Sequence, residues 1–264
     1  MESIDWIDSE APPLCLPDLR GKTALVTGVT QGIGRATALR LLDNGARVFG
    51  LARGELAPEL TEYADHYKDY PCDLQHATAI DQVFGALTAE TDQLDYVVNV
   101  AGRDPKFSND SITAEQWDSL VDLNLRGYFW VIKRALPLLR RGSGKSIVNV
   151  SSINYRLSVP GRTPYSATKA GILGLTTGFA RELGAEGIRI NTVTPGWVFT
   201  ERQVDEYFSG DGEVGNLAYL RDRQCFPLKI AAGDVANHIL FYLSNVSRAT
   251  TGHNSVVDAG WILE

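Results

Sequence analysis

Apolar and polar residues follow two different rhythms along this chain. Short apolar runs, several with apolar residues at consecutive positions, recur at 22–27, 47–52, 69–72, 96–99, 146–151, 188–193 and 255–257. Longer stretches with apolar residues every three or four positions separate them, as at Ala36, Leu39 and Leu42. Continuous apolar runs are typical of strands covered on both faces, and alternation with helices indicates parallel pairing. The pattern predicts an α/β fold: one doubly wound parallel sheet with helices on both faces.

Two segments depart from this rhythm. Residues 1–19 contain three prolines and no sustained periodicity, so we expect an N-terminal arm outside the core that can drape over a neighbouring molecule. Residues from about 195 to 229, after the sixth strand, mix aromatic, acidic and glycine residues without a strand signal. A long excursion in a compact domain is typical of a lid or binding loop. We therefore predict one domain over residues 20–264 with a lid at 195–229.

Charge and composition limit the possible ligands. The 264 residues carry a net charge of −7 with acids and bases well mixed, which argues against a nucleic-acid partner and favours small molecules. No apolar run approaches the ~20 residues of a membrane span, and the acidic start lacks the basic region of a signal peptide, so we expect a cytoplasmic protein without membrane contact. The three cysteines are isolated in sequence, and we predict neither disulfides nor a metal site.

A glycine-rich turn follows the first predicted strand. It reads Thr27-Gly28-Val29-Thr30-Gln31-Gly32-Ile33-Gly34-Arg35 and runs directly into a helical pattern. Glycines remove Cβ atoms where phosphate oxygens approach backbone N–H groups, and the helix N-terminus supplies unpaired donors and a positive dipole. A tight turn without a ligand is the alternative interpretation. The turn favours a dinucleotide-binding, Rossmann-type domain.

Further motifs follow in a fixed order: Asn99-Val100-Ala101-Gly102, then Asn124, Ser152 and Tyr165-Ser166-Ala167-Thr168-Lys169. With the TGxxxGIG turn, this set resembles the short-chain dehydrogenase/reductase family from about Gly21 to the C-terminus. The resemblance implies NAD(P)-dependent hydride transfer between a nicotinamide cofactor and a hydroxyl or carbonyl carbon. Val100 stands where the family usually has a second asparagine, so we expect slightly different backbone support at that turn.

Four residues match the family's catalytic positions. Tyr165 and Lys169 lie four apart and therefore on one helix face, where an ammonium and an oxidised nicotinamide would favour the phenolate. The phenol would then exchange a proton with the substrate. By resemblance, Ser152 would hold the reacting oxygen and Asn124 a water in a proton relay, although a helix kink could also explain Asn124. Ser151 is expected to contact cofactor or backbone instead.

The resemblance also implies a set of cofactor contacts. Asp73 and Leu74 would flank the adenine, although Asp73 could instead cap a helix. The turn after the sixth strand would reach the nicotinamide side. The expected cofactor-binding residues are Gly28, Gln31, Gly32, Ile33, Gly34, Arg53, Asp73, Leu74, Asn99, Ala101, Gly102, Tyr165, Lys169, Pro195, Gly196, Val198 and Thr200.

The end of the second strand bears on the choice between NAD and NADP. A carboxylate there would bind the ribose diol and repel a 2′-phosphate. This chain has Ala52 followed by Arg53, whose guanidinium could pair with the phosphate, as in the NADP-dependent branch of the family. We therefore favour NADP over NAD. Gln31, where many NADP enzymes have a second basic residue, and nearby Glu55 leave dual use or NAD preference open.

The predicted substrate walls mix aromatic faces with amides and charges, which suits a sugar ring. Trp197-Val198-Phe199-Thr200-Glu201-Arg202-Gln203, Gln224-Cys225 and Val257-Asp258-Ala259-Gly260-Trp261 resemble the aldose 1-dehydrogenase branch, which oxidises sugars to lactones. The alternatives are a dehydrogenase or reductase of a keto group on a sugar acid, cyclitol or acyl thioester, and a non-catalytic dinucleotide-binding regulator. The expected substrate-binding residues are Asp104, Lys106, Ser152, Asn154, Tyr165, Trp197, Arg202 and Gln203.

The resemblance also bears on assembly. The helical segments near 114–139 and 165–183 resemble the family's main subunit interface, which implies a homotetramer with 222 symmetry. The apolar tail Trp261-Ile262-Leu263 is expected to pack on a neighbouring subunit.

Overall fold

The computed structural model describes residues 5–157 and 159–263. Within them, a seven-stranded sheet has the order β3-β2-β1-β4-β5-β6-β7. Every neighbouring pair is parallel. This confirms the predicted doubly wound sheet, and each strand lies within two residues of its predicted bounds. The strands are β1 Thr23–Thr27, β2 Arg47–Ala52, β3 Tyr67–Pro71, β4 Tyr96–Asn99, β5 Ser146–Val150, β6 Arg189–Pro195 and β7 Asn254–Val257.

Helices cover both faces of the sheet, as their apolar stripes require. Successive strand residues point to opposite faces: Val26 packs in the core beside α1 and α9, and Leu25 in the core beside α2 and α4. The runs are apolar throughout because both faces are buried. The helices are α1 Gly32–Asp43, α2 Ala77–Leu87, α3 Ala114–Val121, α4 Gly127–Leu139, α5 Asn154–Leu157, α6 Thr163–Leu183, α7 Glu201–Tyr207, α8 Glu213–Arg221 and α9 Ala232–Leu243.

The strand order places a crevice at one edge of the sheet. The chain moves outward from β1 to β2 and β3, and then returns to β4 on the other side of β1. The connections after β1 and β4 therefore diverge at the carboxyl ends of the strands, which is where open α/β sheets bind ligands. The connections after β5 and β6 end at the same edge. Among the described residues, no helix is long and apolar enough to cross a membrane.

The expectation that residues 1–19 lie outside the core is wrong for the end of this segment. Leu16 and Leu19 are buried in the core beside α1 and α9. The Asn44 amide secures the backbone, accepting from Leu16 N at 2.7 Å and donating to Leu14 O at 3.0 Å. Apolar residues near the end of the segment thus bind it to its own domain. Residues 1–4 lie outside the described chain.

We call residues 5–16 the N-terminal strap. One end of the strap is fixed to α9, where Ala11 N donates to the Asp234 carboxylate at 3.0 Å. The other end pairs with the chain that follows α8. Ile7 N donates to Pro227 O at 2.8 Å, and Lys229 N donates to Ile7 O at 3.0 Å. The strap therefore connects the core to the end of the segment 195–229, which carries α7 and α8.

Candidate active site

A cavity of about 420 Å³ lies at the carboxyl ends of β4, β5 and β6. The segment 195–229, called the lid segment below, forms one of its walls. Many residues that the sequence analysis singled out line this cavity together: Ile33, Gly102, Asp104, Lys106, Ser152, Asn154, Tyr165, Lys169, Pro195, Gly196, Trp197, Val198, Thr200, Arg202 and Gln203.

Tyr165 and Lys169 face this cavity from α6. Lys169 is only 3% exposed, and its ammonium donates to Val150 O at 2.9 Å. Its Nζ lies 5.7 Å from the centroid of the Tyr165 ring. Ser151 lies behind this pair, where its hydroxyl donates to Lys169 O at 2.8 Å, the backbone contact expected for it. The spacing of four residues does place phenol and ammonium on one helix face.

Burial shifts the pKa values of both Lys169 and Tyr165. It lowers the pKa of Lys169 to about 8, although the Asp104 charge acts in the opposite direction. It also raises the pKa of Tyr165 to about 12, a rise which Asp104 increases and which a Ser152 hydrogen bond and two arginine charges reduce. The expected lowering of the phenol pKa is therefore not produced by the protein's own groups. The Lys169 ammonium is directed at the Val150 carbonyl, so burial outweighs its attraction for a phenolate.

Ser152 connects the phenol to the substrate side of the cavity. Both side chains line the cavity, and the Ser152 hydroxyl lowers the pKa of Tyr165. Its Oγ also accepts from the backbone N and the Nδ2 of Asn154, both at 3.3 Å. Asn154 opens the short helix α5 and is itself held through its carbonyl, which accepts from Ser166 Oγ at 2.9 Å. Ser152, Asn154 and Tyr165 thus form one cluster of polar atoms around the place where a substrate oxygen can bind.

Asn124 lies in a π-helical turn, Asp122–Arg126, between α3 and α4. Its Oδ1 accepts from Arg103 N at 3.0 Å, and its Nδ2 donates to Arg103 O at 2.9 Å. The same Nδ2 lies 3.3 Å from Thr168 Oγ1 on α6. The helix irregularity is real, and the amide ties the chain after β4 to the helix that carries Tyr165. Both interpretations of Asn124 are therefore compatible with its position.

The glycine-rich turn is packed so closely that a side chain in place of Gly32 or Gly34 would collide with neighbouring atoms. A Cβ on Gly34 would lie 2.1 Å from Gly28 O, and a Cβ on Gly32 would lie 2.9 Å from Thr200 Cγ2. The Gln31 side chain makes no capping hydrogen bond, so the first N–H groups of α1 stay available to a ligand. A backbone cradle at a helix N-terminus fits a dinucleotide pyrophosphate.

The turn after β4 lies against this cradle. Thr27 Oγ1 accepts from Val100 N at 3.0 Å and from Ala101 N at 3.1 Å, which supplies backbone support to the turn at Val100. Asn99 is fully buried and donates to Asn149 Oδ1 at 3.0 Å, while its own Oδ1 has no protein partner. Its side chain therefore joins β4 to β5 rather than lining the cavity.

The residues expected at the adenosine end form a separate group. Arg53 is 56% exposed, and its Nη1 lies 3.5 Å from Asp73 Oδ2. Asp73 Oδ1 accepts from Gln75 N at 3.0 Å, and α2 starts only after His76, so Asp73 does not cap that helix. The Leu74 side chain is buried in the core, which leaves only its backbone to a ligand. Gln31 is exposed at the start of α1.

The lid segment presents aromatic rings and charges to the cavity. Trp197 Nε1 donates to Gln203 Oε1 at 2.7 Å, and its ring packs edge-on against Tyr207 at 5.4 Å. Arg202 Nη2 pairs with Asp104 Oδ1 at 2.6 Å, across the cavity mouth. Lys106 Nζ lies 5.2 Å from the Tyr207 ring centroid. Five expected substrate contacts thus form one wall shared by the lid and the chain after β4.

Comparisons with known proteins agree with this geometry. A family model described as enoyl-(acyl carrier protein) reductase matches residues 28–262. The chain is 34% identical to "Probable galactose dehydrogenase GalD" of Rhizobium meliloti, over 94% of this chain and 98% of that protein. This chain belongs to the short-chain dehydrogenase/reductase family. It is an oxidoreductase of a family that uses a nicotinamide dinucleotide.

Two further proteins that are similar to this chain are also named as sugar dehydrogenases. This short-chain dehydrogenase is 32% identical to D-xylose 1-dehydrogenase of Caulobacter vibrioides, over 93% of this chain and 97% of the relative. The solved structure of an aldohexose dehydrogenase from Thermoplasma acidophilum superposes with a TM-score of 0.84 at 26% identity, covering 93% of this chain and 96% of that one.

The short-chain dehydrogenase also places residues in the cavity that sequence reasoning missed. Arg162 is buried directly before α6, with Nη1 3.1 Å from Asp104 Oδ2. A cation is unfavourable at a helix N-terminus, so its position could have indicated a carboxylate partner. Trp261 lines the cavity and packs edge-on against Tyr219 of its own chain at 5.7 Å. That the apolar tail also packs on a neighbouring subunit stays a prediction.

Proposed function

We propose that this short-chain dehydrogenase oxidises an aldose at C1 to its lactone. The supporting observation is the cavity wall, in which the rings of Trp197 and Tyr207 stand beside the polar atoms of Asp104, Asn154 and Gln203. A sugar buries several hydroxyls, and each one without a partner costs about 1–3 kcal/mol. The volume of about 420 Å³ suits a small ligand. The names of the relatives, a galactose, a xylose and an aldohexose dehydrogenase, agree with this substrate class.

The proposed chemistry assigns one task to each residue of the cluster. Ser152 holds the C1 oxygen, and Tyr165 removes its proton as the hydride leaves. Lys169 keeps a positive charge behind the phenol and offers its ammonium to ribose hydroxyls. Asn124 holds the chain after β4 beside α6 and completes a proton path. The cofactor, held at the glycine-rich turn and at the carboxyl ends of β4 and β6, supplies the hydride acceptor and a positive charge beside the phenol.

One experiment tests both the activity and the tyrosine. Reduced-cofactor absorbance is followed with a panel of aldoses, in parallel with sugar acids, cyclitols and acyl thioesters. We expect turnover of one or more aldoses, and we expect Tyr165→Phe to lower kcat by about 100-fold or more while cofactor still binds. Turnover only of keto groups on acyl thioesters would instead support the reductase suggested by the description of the family model. Turnover of no substrate would favour a dinucleotide-binding regulator.

We also propose that NADP is preferred over NAD, because Arg53 is exposed at the end of β2 and Ala52 offers no repelling carboxylate. Arg53→Ala should raise the NADP Michaelis constant by about one to two decades, since a charge-assisted contact contributes ~1.5–3 kcal/mol, and should leave the NAD constant nearly unchanged. Ala52→Asp should shift preference towards NAD. Better use of NAD by the wild type, with no effect of Arg53→Ala, would refute the assignment.

A homotetramer is proposed for the assembly. Trp117 on α3 and Phe129 on α4 are large apolar side chains that the single chain leaves exposed, on the helical segment that resembles the family's main interface. Such residues favour burial against a second copy. Light scattering at micromolar concentration should give four times the mass of the chain, and a monomer would contradict the proposal. Cytoplasmic location stays a prediction from the sequence.

A further inference from the structure

Arg162 is a buried cation in an unfavourable place. It is 7% exposed and precedes the first turn of α6, where its carbonyl accepts from Ser166 N at 2.8 Å. The helix dipole repels a cation there, and burying an unpaired charge costs several kcal/mol. Two neighbouring groups reduce this cost. Its Nη1 lies 3.1 Å from Asp104 Oδ2, and its Nη2 donates to Tyr207 Oη at 3.2 Å.

Asp104 pairs with two arginines, one buried and one exposed. Arg162 approaches Oδ2 from the start of α6, and Arg202 approaches Oδ1 at 2.6 Å from the lid helix α7. Arg202 is 48% exposed and also pairs with Glu206 of the same lid helix at 3.3 Å. Arg162 is buried and lies outside the lid, so it holds Asp104 independently of Arg202. A carboxylate has about four acceptor positions, so two arginines still leave it acceptors for a ligand.

We propose that Arg162 is a positioning residue, which fixes Asp104 as an acceptor for substrate hydroxyls and ties Tyr207 of the lid to the helix that carries Tyr165. The inference rests on the proposed sugar oxidation, and it narrows the substrate to a neutral compound with neighbouring hydroxyl groups. A substrate carboxylate at this place would have to compete with Asp104 for the same guanidinium.

The charges around Tyr165 make the role of Arg162 visible in the pH dependence of the reaction. The groups that act on the phenol are the Asp104 carboxylate, which raises its pKa, and the Ser152 hydroxyl and the guanidinium groups of Arg162 and Arg202, which lower it. The Lys169 ammonium lies 5.7 Å from the ring centroid. Removing the Arg162 charge leaves Asp104 less compensated, so the pKa of the phenol rises. Oxidation needs the phenolate, and its pH profile should therefore move to higher pH.

The test compares Arg162→Met and Arg162→Lys with Arg202→Met, the matched change on the other side of the same carboxylate. A displacement of about 1 Å costs on the order of 100-fold in rate. We expect Arg162→Met to raise the aldose KM at least about tenfold, to leave the cofactor KM unchanged and to shift the pH profile of kcat/KM upward. Arg162→Lys should recover part of the loss, and Arg202→Met should have the smaller effect.

A double-variant cycle separates positioning from a general structural role. If Arg162 acts on substrate binding through Asp104, the pair Arg162→Met with Asp104→Asn should raise the aldose KM no further than Asp104→Asn alone. Additive increases in the aldose KM, or an unmoved pH profile of Arg162→Met, would overturn the proposal. If Arg162→Met does not fold, the unfolding temperature will show it, and Arg162→Lys then carries the same comparison. A wild type that prefers sugar acids, and loses that preference in Arg162→Lys, would show that the guanidinium binds the substrate itself and would also overturn the proposal.

Hydrogen exchange of the lid helix 201–207 keeps this inference separate from the proposed function, because it needs no substrate. Faster exchange in Arg162→Met than in Arg202→Met is expected, since Arg162 links Tyr207 to α6. If no aldose is oxidised by the wild type, the proposed function fails, whereas faster lid exchange would still support the link. Unchanged exchange together with normal aldose kinetics would refute the inference and leave the function standing.

Discussion

The two sides of the cavity are held by different forces. On the cofactor side, backbone meets backbone, as where Gly34 lies so close to Gly28 that a Cβ would come within 2.1 Å of its carbonyl oxygen. On the lid side, ion pairs of side chains add to the aromatic contacts, such as Arg202 with Asp104 at 2.6 Å and Lys229 with Asp8 at 2.6 Å. Steric contacts do not weaken in salt or with pH, but exposed ion pairs do. The contacts of the cofactor side therefore allow one geometry, whereas salt can weaken part of the contacts that hold the lid side.

The largest effect is expected where this steric side is broken. In Gly34→Ala the new methyl group collides with the backbone of Gly28, so α1 must move away from β1. We expect a loss of about 4 kcal/mol or more in the free energy of unfolding, together with loss of cofactor binding. Thermal unfolding and cofactor fluorescence measure both quantities.

Gly85→Ala on α2 is the matched control. This glycine is exposed, and a Cβ there meets no atom within 4 Å. The change should be neutral or stabilise the protein by up to about 1 kcal/mol, because alanine favours helix. Equal changes in the free energy of unfolding for Gly34→Ala and Gly85→Ala would contradict the conclusion that steric contacts hold the cofactor side.

A second prediction concerns the buried charge between the two sides. Because burial lowers the pKa of Lys169 to about 8 from 10.5, the unfolded chain binds more protons than the folded one between these values. Stability should then rise with pH from about 8, by a contribution on the order of 3 kcal/mol at most. Tyr165, with its pKa raised to about 12, acts in the opposite direction only above pH 10.

Unfolding free energies of the wild type and Lys169→Met between pH 7.5 and 9.5 measure this contribution. The free energy of unfolding of the wild type should increase relative to that of Lys169→Met as pH rises. Lys106→Met, an exposed lysine of the same cavity, should show no such gain. A difference that is flat or falls with pH would show that the ammonium is not destabilised by burial.

The smallest effect is expected where the lid side meets the N-terminal strap. Lys229→Met removes the pair with Asp8, which should cost only about 0.2–1 kcal/mol because Asp8 is exposed. The lid should nevertheless exchange its amide hydrogens faster, while residues of α1 do not change. High salt should have the same effect on the wild type. Equal changes on both sides of the cavity would contradict the comparison.

Sequence reasoning predicted the steric side far better than the lid side. Its signals are local: apolar runs for the strands, a glycine turn before α1, and a spacing of four residues between Tyr165 and Lys169. Thr27 belongs to the glycine-rich motif, but nothing in the sequence indicated that its buried hydroxyl accepts from Val100 N. Arg162 and Trp261 were missed because their partners, Asp104 and Tyr219, are distant in sequence.

The end of the segment 1–19 was misjudged for a similar reason. The prolines of the segment indicated irregular backbone correctly, but its two buried leucines, Leu16 and Leu19, are too few to show a periodicity. The burial that raises the phenol pKa in the protein without cofactor cannot be read from a spacing. The roles of the individual site residues and the choice of NADP stay predictions.

The placement of the first described residues against the last helix has a consequence for how the chain folds. Ala11 bonds to Asp234, and Asp18 bonds to Ser244 and to the backbone N of Asn245, pairs that lie 223 to 227 positions apart. Contacts of such separation form late, because a long loop must close before they are gained. During synthesis, the buried face of α1 and the apolar residues before β1 therefore stay uncovered until α9 has left the ribosome, and a chain stopped before α9 should aggregate.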